Sequence, residues 1–191
     1  MEDGIREFLE GARGGPLRGE IARTPARVAR AWAEDLLSGY REEVASILSP
    51  LRSERSRDLV AVRGIEFVST CAHHLLPFHG VAHLAYLPDG RITGISRLPK
   101  LVRCLTRRLQ IQEELTRQIV DALDRHLAPR GAACVIEATH LCMISRGNKG
   151  STGLVVTAAF SGCLEREPSR RGQILALLRG DPRPPRRRPR R

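Results

Sequence analysis

The sequence predicts an α+β fold in which an antiparallel four-stranded sheet carries helices on one face. Three observations predict it. Segments of strand character come in two pairs, 59–69 with 79–87 and 132–143 with 154–163. Stretches with helical periodicity, 98–105 and 110–127, separate the pairs, and the turn signal Pro88-Asp89-Gly90 closes the second strand. Strands next to one another in the chain pair most simply as antiparallel neighbours, and helices collected between them cover a common face.

The elements follow in order. Residues 2–12 read as a short helix, stopped by Gly14, Gly15 and Pro16. Thr24 reads as an N-cap with Pro25 in the first turn, and apolar residues then recur through Val28, Ala31, Trp32, Leu36 and Leu37 until Gly39. A polar connection around 53–57 leads to the first strand pair. In 110–127, Leu115, Ile119, Ala122 and Leu123 share one helical face while Glu113, Arg117, Asp121 and Arg125 lie near the other. The first pair of strands alternates or runs in β-branched residues, the second pair returns to strand character, and a last short helix is expected at 173–178. The chain divides into a helical segment (1–50), an α+β domain (51–180) and an Arg/Pro-rich tail (181–191).

Composition narrows the class. A chain of 191 residues with 41% apolar and 28% charged residues can bury one ordinary core. No stretch approaches the roughly 20 apolar residues of a membrane helix, and the acidic start Met1-Glu2-Asp3 is unlike a secretory signal, so a cytoplasmic protein without a membrane partner is expected. Five cysteines at irregular spacing argue for metal or thiol chemistry over a disulfide framework. Of the net charge of +11, residues 181–191 carry six arginines against one aspartate, +5, which leaves +6 for the remainder. That tail reads as solvated, with weak polyanion contact as its alternative use. A basic zinc protein that binds nucleic acid is disfavoured, because aromatic residues make up only 4% of the chain and provide few stacking platforms.

Chemistry concentrates in Cys71-Ala72-His73-His74 and His140-Leu141-Cys142. Zinc takes thiolate and imidazole ligands, and a catalytic zinc keeps three protein ligands and one open position. Cys71, His74 and Cys142 make such a set. Two residues apart on an expected strand, His140 and Cys142 face the same way; Cys71 and His74 need the first strand to end or bend, which Pro77 permits. By itself Cys-x-x-His more often means a buried cysteine and a satisfied core histidine. A closed structural site would need a fourth ligand such as His73, Cys134 or Cys163, and none of these forms a second paired spacing. The H-x-E with P-C-x-x-C signature of zinc nucleobase deaminases is missing.

The runs CAHHLLPFHG (71–80), GISRLPKLVRCLTRRLQIQEELTRQI (94–119) and EATHLCMISRG (137–147), with TPARVARAWAEDLLSGY (24–40) ahead of them, resemble the motifs of GTP cyclohydrolase I. The similarity is colinear over about residues 4–180. It implies Zn2+ on Cys71, His74 and Cys142, with His73 and His140 as acid/base groups. It also implies GTP as substrate, converted with water to 7,8-dihydroneopterin triphosphate and formate. Glu113, with Gln112 beside it, matches the guanine-binding position, and Arg97, Lys100 and Arg146, with Ser96 adjacent, match the phosphate-binding positions. A carboxylate suits guanine because it accepts from N1–H and the 2-amino group together. No Gly-x-x-x-x-Gly-Lys-Ser/Thr loop is present, as expected where GTP is rebuilt and is not a phosphoryl donor.

The resemblance further implies the tunnelling fold, whose sheets close into a multi-subunit barrel, with a homodecamer and active sites at subunit junctions. Three departures stand out. Ala72 replaces a usual glutamate, the usual lysine and arginine are exchanged at 97 and 100 around Pro99, and 147–157 lacks much of a Ser/Thr-rich pattern. A related zinc-dependent purine-ring hydrolase with an incompletely rearranged product is the alternative they allow.

Overall fold

The computed structural model describes residues 1–53, 56–145 and 153–179. At the N-terminus, α1 (Glu2–Arg13) ends where Gly14 adopts a left-handed conformation, φ 78°. A 3₁₀ turn, Gly19–Arg23, then runs directly into α2 (Thr24–Ala31). Thr24 is therefore the first residue of the helix and not a side-chain cap: its N–H is bonded to the Ile21 carbonyl, so the turn satisfies amides that a cap would otherwise serve. The helical pattern continues past Ala31 as a π turn, Trp32–Leu36, and a 3₁₀ turn, Ser38–Arg41, before the short α3 (Val44–Ile47).

The remaining elements are β1 (Leu51–Arg52), β2 (Val60–Cys71), β3 (Pro77–Leu87), β4 (Arg91–Ile92), α4 (Arg97–Thr106), β5 (Leu109–Gln110) and α5 (Gln112–Leu127). After them come β6 (Gly131–His140), α6 (Leu141–Ile144), β7 (Val155–Phe160), α7 (Gly162–Arg166) and α8 (Pro168–Arg179). The main sheet has the order β5-β2-β3-β6-β7, and β1 pairs with β4 separately. The four long strands pair antiparallel, but the sheet is a mixed one of five strands in place of the antiparallel four expected. The fifth, β5, is an addition: it pairs in parallel with the end of β2, Thr70 opposite Leu109 and Cys71 opposite Gln110.

The α4/α5 side of the sheet presents Ile65, Phe67, Phe78, Leu84, Tyr86 and Ile136 to the main core. From α5, Leu115, Ile119 and Leu123 are fully buried against it, each contributing about 1.5–3 kcal/mol by apolar burial. Glu113 and Glu114 in its first turn and Arg125 and His126 in its last complement the helix dipole. Helices also cover the opposite face, contrary to the one-sided arrangement expected: Ala85, Ala133, Val135 and Phe160 pack against Leu164 of α7 and Ile174 and Leu178 of α8. The four long strands alternate apolar residues on both faces at that end, so a second layer is needed to keep them dry.

Two glycines are required by the sheet near the site. Gly64 (φ 71°) forms a bulge in β2, where the register jumps from Val62 opposite Leu84 to Ile65 opposite Ala82, and its N–H donates to Nδ1 of the buried His83. Burial pushes the His83 pKa down, with Glu137 opposing and Arg63 assisting. Gly80 lies so close to β6 that a Cβ there would stand 1.9 Å from the Glu137 carbonyl oxygen.

At the far end, Ser161 Oγ donates to Asp124 Oδ1 (2.8 Å) and accepts from the Ala132 amide (3.0 Å), joining α5, β6 and the β7–α7 corner. Burial raises the Asp124 pKa, against the lowering effect of the Ser161 hydrogen bond. A raised acid binds more protons in the folded state than unfolded, so its effect on stability becomes less favourable as pH rises from the ordinary carboxylate value through the folded one. Ser161→Ala removes the donor that opposes this trend. We expect it to cost about 1–2 kcal/mol, and the thermal midpoint to fall more at pH 8 than at pH 4.5, where the carboxyl is more protonated and relies less on the donor.

Candidate functional site

Cys71 is the last residue of β2 and His74 lies in the β2–β3 connection. The connection is tied at its base, with the Cys71 N–H on the Leu76 carbonyl and the Leu75 N–H on the Cys71 carbonyl, both 2.9 Å. Its reversal comes from Leu75, which sits at φ 55° in the left-handed region, a conformation that costs a non-glycine residue about 1–2 kcal/mol. Pro77, the expected agent of the bend, instead opens β3. Cys142 also differs from its expected place: β6 ends at His140, and Cys142 lies in the helical turn α6. His140 and Cys142 thus do not share a strand face.

The two clusters nevertheless converge. The ligand atoms of Cys71, His74 and Cys142 all lie within 4.8 Å of one another, and Cys71 Sγ is 3.9 Å from His74 Nδ1. Tetrahedral zinc with Zn–S of about 2.3 Å and Zn–N of about 2.0–2.1 Å separates S from N by about 3.6 Å and S from S by about 3.8 Å. The donor set and its spacing therefore fit one zinc with little adjustment. Both cysteines are buried, 5% and 8% exposed, and His74 is exposed, so the group opens toward solvent on its histidine side. None of the five cysteines is joined in a disulfide.

Beside this group stands His140. Its ring stacks on the buried Phe78, its cross-strand partner, with centroids 4.5 Å apart and planes within 2°. Its Nε2 is 2.7 Å from Gln112 Oε1. Burial lowers the His140 pKa, and the Glu113 carboxylate works in the opposite direction. Glu113 is exposed while Gln112, one residue earlier in the first turn of α5, is 2% exposed and points inward. His73 is exposed, its ring 6.1 Å from that of His74.

Ser96, Arg97 and Lys100 line a different cleft, of about 580 Å³, between α3 and α4. None of Cys71, His74, His140 and Cys142 contributes to it. Arg97 Nη1 donates to the carbonyls of Ser46 (3.1 Å) and Ile47 (2.8 Å) at the end of α3, which leaves the rest of its guanidinium and Lys100 for the cleft. Arg103 lines it too and was not singled out from sequence, although its place three residues beyond Lys100 on α4 puts it on the same helical face. Phe78, Thr116 and Thr157, which hold His140 or Gln112, were likewise not expected. Arg146, residues 147–152 and the tail 181–191 lie outside the described residues. Among the described residues no helix is long and apolar enough to cross a membrane.

Comparison with known proteins bears on this arrangement. The chain is 43% identical over 179 residues to a GTP cyclohydrolase 1 of Chlorobium chlorochromatii, covering 93% of this chain and 80% of that one. It is 44% identical to a GTP cyclohydrolase 1 of Mycobacterium leprae over 93% of this chain and 87% of the relative, and 42% identical to one of Thermobifida fusca over 94% and 87%. Among solved structures, an archaeosine synthase of the QueF-like type in its apo form aligns with 58% of this chain and 97% of its own at 17% identity and a TM-score of 0.44, too distant to bear on function. The model of the family described as GTP cyclohydrolase I matches residues 1–179, and the chain belongs to that family.

Proposed function

We propose that this chain is a GTP cyclohydrolase I, which hydrolyses the imidazole ring of GTP, releases C8 as formate and closes the remaining atoms with ribose carbons into 7,8-dihydroneopterin triphosphate. The observation that carries the reading is the convergence of Cys71, His74 and Cys142 beside His140 in a chain of this family. Cys71, His74 and Cys142 would hold zinc, which would supply Lewis acidity toward water near neutral pH. His140 and His73 move protons to and from the purine and the opening ribose, a task suited to imidazole because its charge changes near neutrality. Glu113 accepts from guanine N1–H and the 2-amino group.

Ser96, Arg97 and Lys100, with Arg103 and Arg146, hold the triphosphate. Their cleft is lined by none of the metal-binding trio, which supports a site assembled from more than one subunit. Among the described residues the mixed sheet ends on β7 with no further strand beyond it, and Val156 and, on β2, Val68 are exposed; this supports the tunnelling fold, in which subunits join sheet to sheet, and a homodecamer as the assembly. A cytoplasmic location follows from the same reading, as such an enzyme draws on the nucleotide pool. The test is incubation of the purified zinc-loaded protein with GTP, following formate and the ultraviolet absorbance of a pterin. Both products are expected; formate without pterin would replace this reaction with a ring hydrolysis that stops short of rearrangement.

A further inference from the structure

His140 has two ring nitrogens, and which of them carries the proton decides what the ring can do. The groups around it settle the matter by donor and acceptor accounting. Gln112 Nε2 lies 3.3 Å from the Ile136 carbonyl, 3.0 Å from the Val155 carbonyl and 3.1 Å from Thr157 Oγ1. Carbonyl oxygens only accept, so the amide nitrogen must face them; turning the amide over would set Oε1 against two carbonyls.

The hydroxyls agree with this orientation. Thr116 Oγ1 donates to the Gln112 carbonyl at 2.7 Å, which uses its only proton. The 2.6 Å contact between Thr116 and Thr157 must then be a donation from Thr157, and Thr157 is left as an acceptor for the Gln112 amide. The circuit closes without a conflict. Oε1 of Gln112 therefore meets His140 as an acceptor, and Nε2 of His140 must bring the hydrogen.

We propose that Gln112 is a positioning residue that, anchored by Thr157 and Thr116, holds His140 as its Nε2–H tautomer and so leaves Nδ1 as the nitrogen that exchanges protons with substrate. This inference rests on the reaction assigned above, and gives Gln112 a role away from the guanine-binding one its neighbour suggests. With the side chain 2% exposed and both amide hydrogens committed to protein acceptors, Gln112 has no donor to offer a purine. The Phe78 stack fixes the ring plane, so the amide needs only to select the tautomer and hold the edge.

The test uses the full-length zinc-loaded protein labelled with ¹⁵N-histidine. Its histidine tautomers are read by magic-angle-spinning NMR, and the His140 signals are identified by their loss in His140→Ala. The wild-type protein is expected to show His140 protonated at Nε2. Gln112→Leu should lose that preference and lower kcat about 10- to 100-fold with zinc content kept and KM for GTP nearly unchanged, the pattern of a lost orienting contact rather than a lost substrate contact. Thr157→Val, which removes one anchor and keeps the side-chain shape, should give a smaller change of the same kind and serves if Gln112→Leu does not fold.

A wild-type His140 protonated at Nδ1, a variant that keeps the Nε2–H form despite losing the amide, or a loss confined to KM would each overturn the proposal. A wild-type protein with the Nε2–H signature that releases no formate would overturn the assigned reaction and leave the tautomer assignment standing.

Discussion

Cys142→Ala is expected to abolish formate release while leaving the fold in place. The side chain sits in a four-residue helical turn at the margin of the core, 8% exposed, so truncation removes little packing. On the proposed reading it removes one of three protein ligands, and two ligands would not hold zinc in a site that must also stay open to water. Lewis-acid stabilisation is worth several kcal/mol and each 1.36 kcal/mol is tenfold in rate, so the loss should be at least about 10³-fold. The variant should purify with well under one zinc per subunit. Wild-type protein stripped with a chelator should lose activity equally and regain it on adding zinc, whereas the variant should not. Full activity in Cys142→Ala would move the metal elsewhere and with it the assigned chemistry.

Much of this site was legible in the sequence, and the gaps have physical causes. The grouping of Cys71, His74 and Cys142 could be read because thiols and imidazoles at short spacings are uncommon on surfaces, and the long strands and α5 could be read because burial imposes a period. Chain reversals carry no such period. Four residues, Leu141-Cys142-Met143-Ile144, are too few to separate a helical turn from a continuing strand, so Cys142 was expected on β6. The bend after Cys71 depends on Leu75 in a left-handed conformation, which its residue type disfavours and only the closed contacts around it maintain.

The second helical layer was missed for a related reason. Among the residues of α8 whose burial is described, only Ile174 and Leu178, one turn apart, are buried, a signal too sparse to assign a face. Gln112 was grouped with Glu113 because both are polar and adjacent. Successive helical residues point about 100° apart, and the acceptors that draw Gln112 inward come from β6 and β7, over twenty residues away. The exchange of lysine and arginine at 97 and 100 also acquires a structural reading. An arginine at 97 can hold the end of α3 through one nitrogen and still present charge to the cleft, which the single ammonium of lysine does less well.

On the proposed reading, in which Glu113 accepts from the base, Glu113→Gln should be the most damaging change among the base-binding positions. The carboxylate stands exposed in the first turn of α5, next to the Gln112 that meets His140, and its charge opposes the lowering of the His140 pKa by burial. Guanine presents two donors side by side. A carboxylate accepts both, but a glutamine in either orientation sets its NH2 against one of them. Hydrogen bonds to a charged group are worth about 1.5–3 kcal/mol each. Losing one and keeping the other only on a neutral acceptor should lower kcat/KM for GTP by about 10- to 10³-fold. Inosine triphosphate, which lacks the 2-amino group, separates this reading from a general disturbance. The wild-type enzyme should prefer GTP over it strongly, and the preference should shrink in Glu113→Ala, where neither donor meets a carboxylate. Equal losses for the two nucleotides would show that Glu113 acts through His140 or through the fold, and guanine recognition would then have to be sought among other groups.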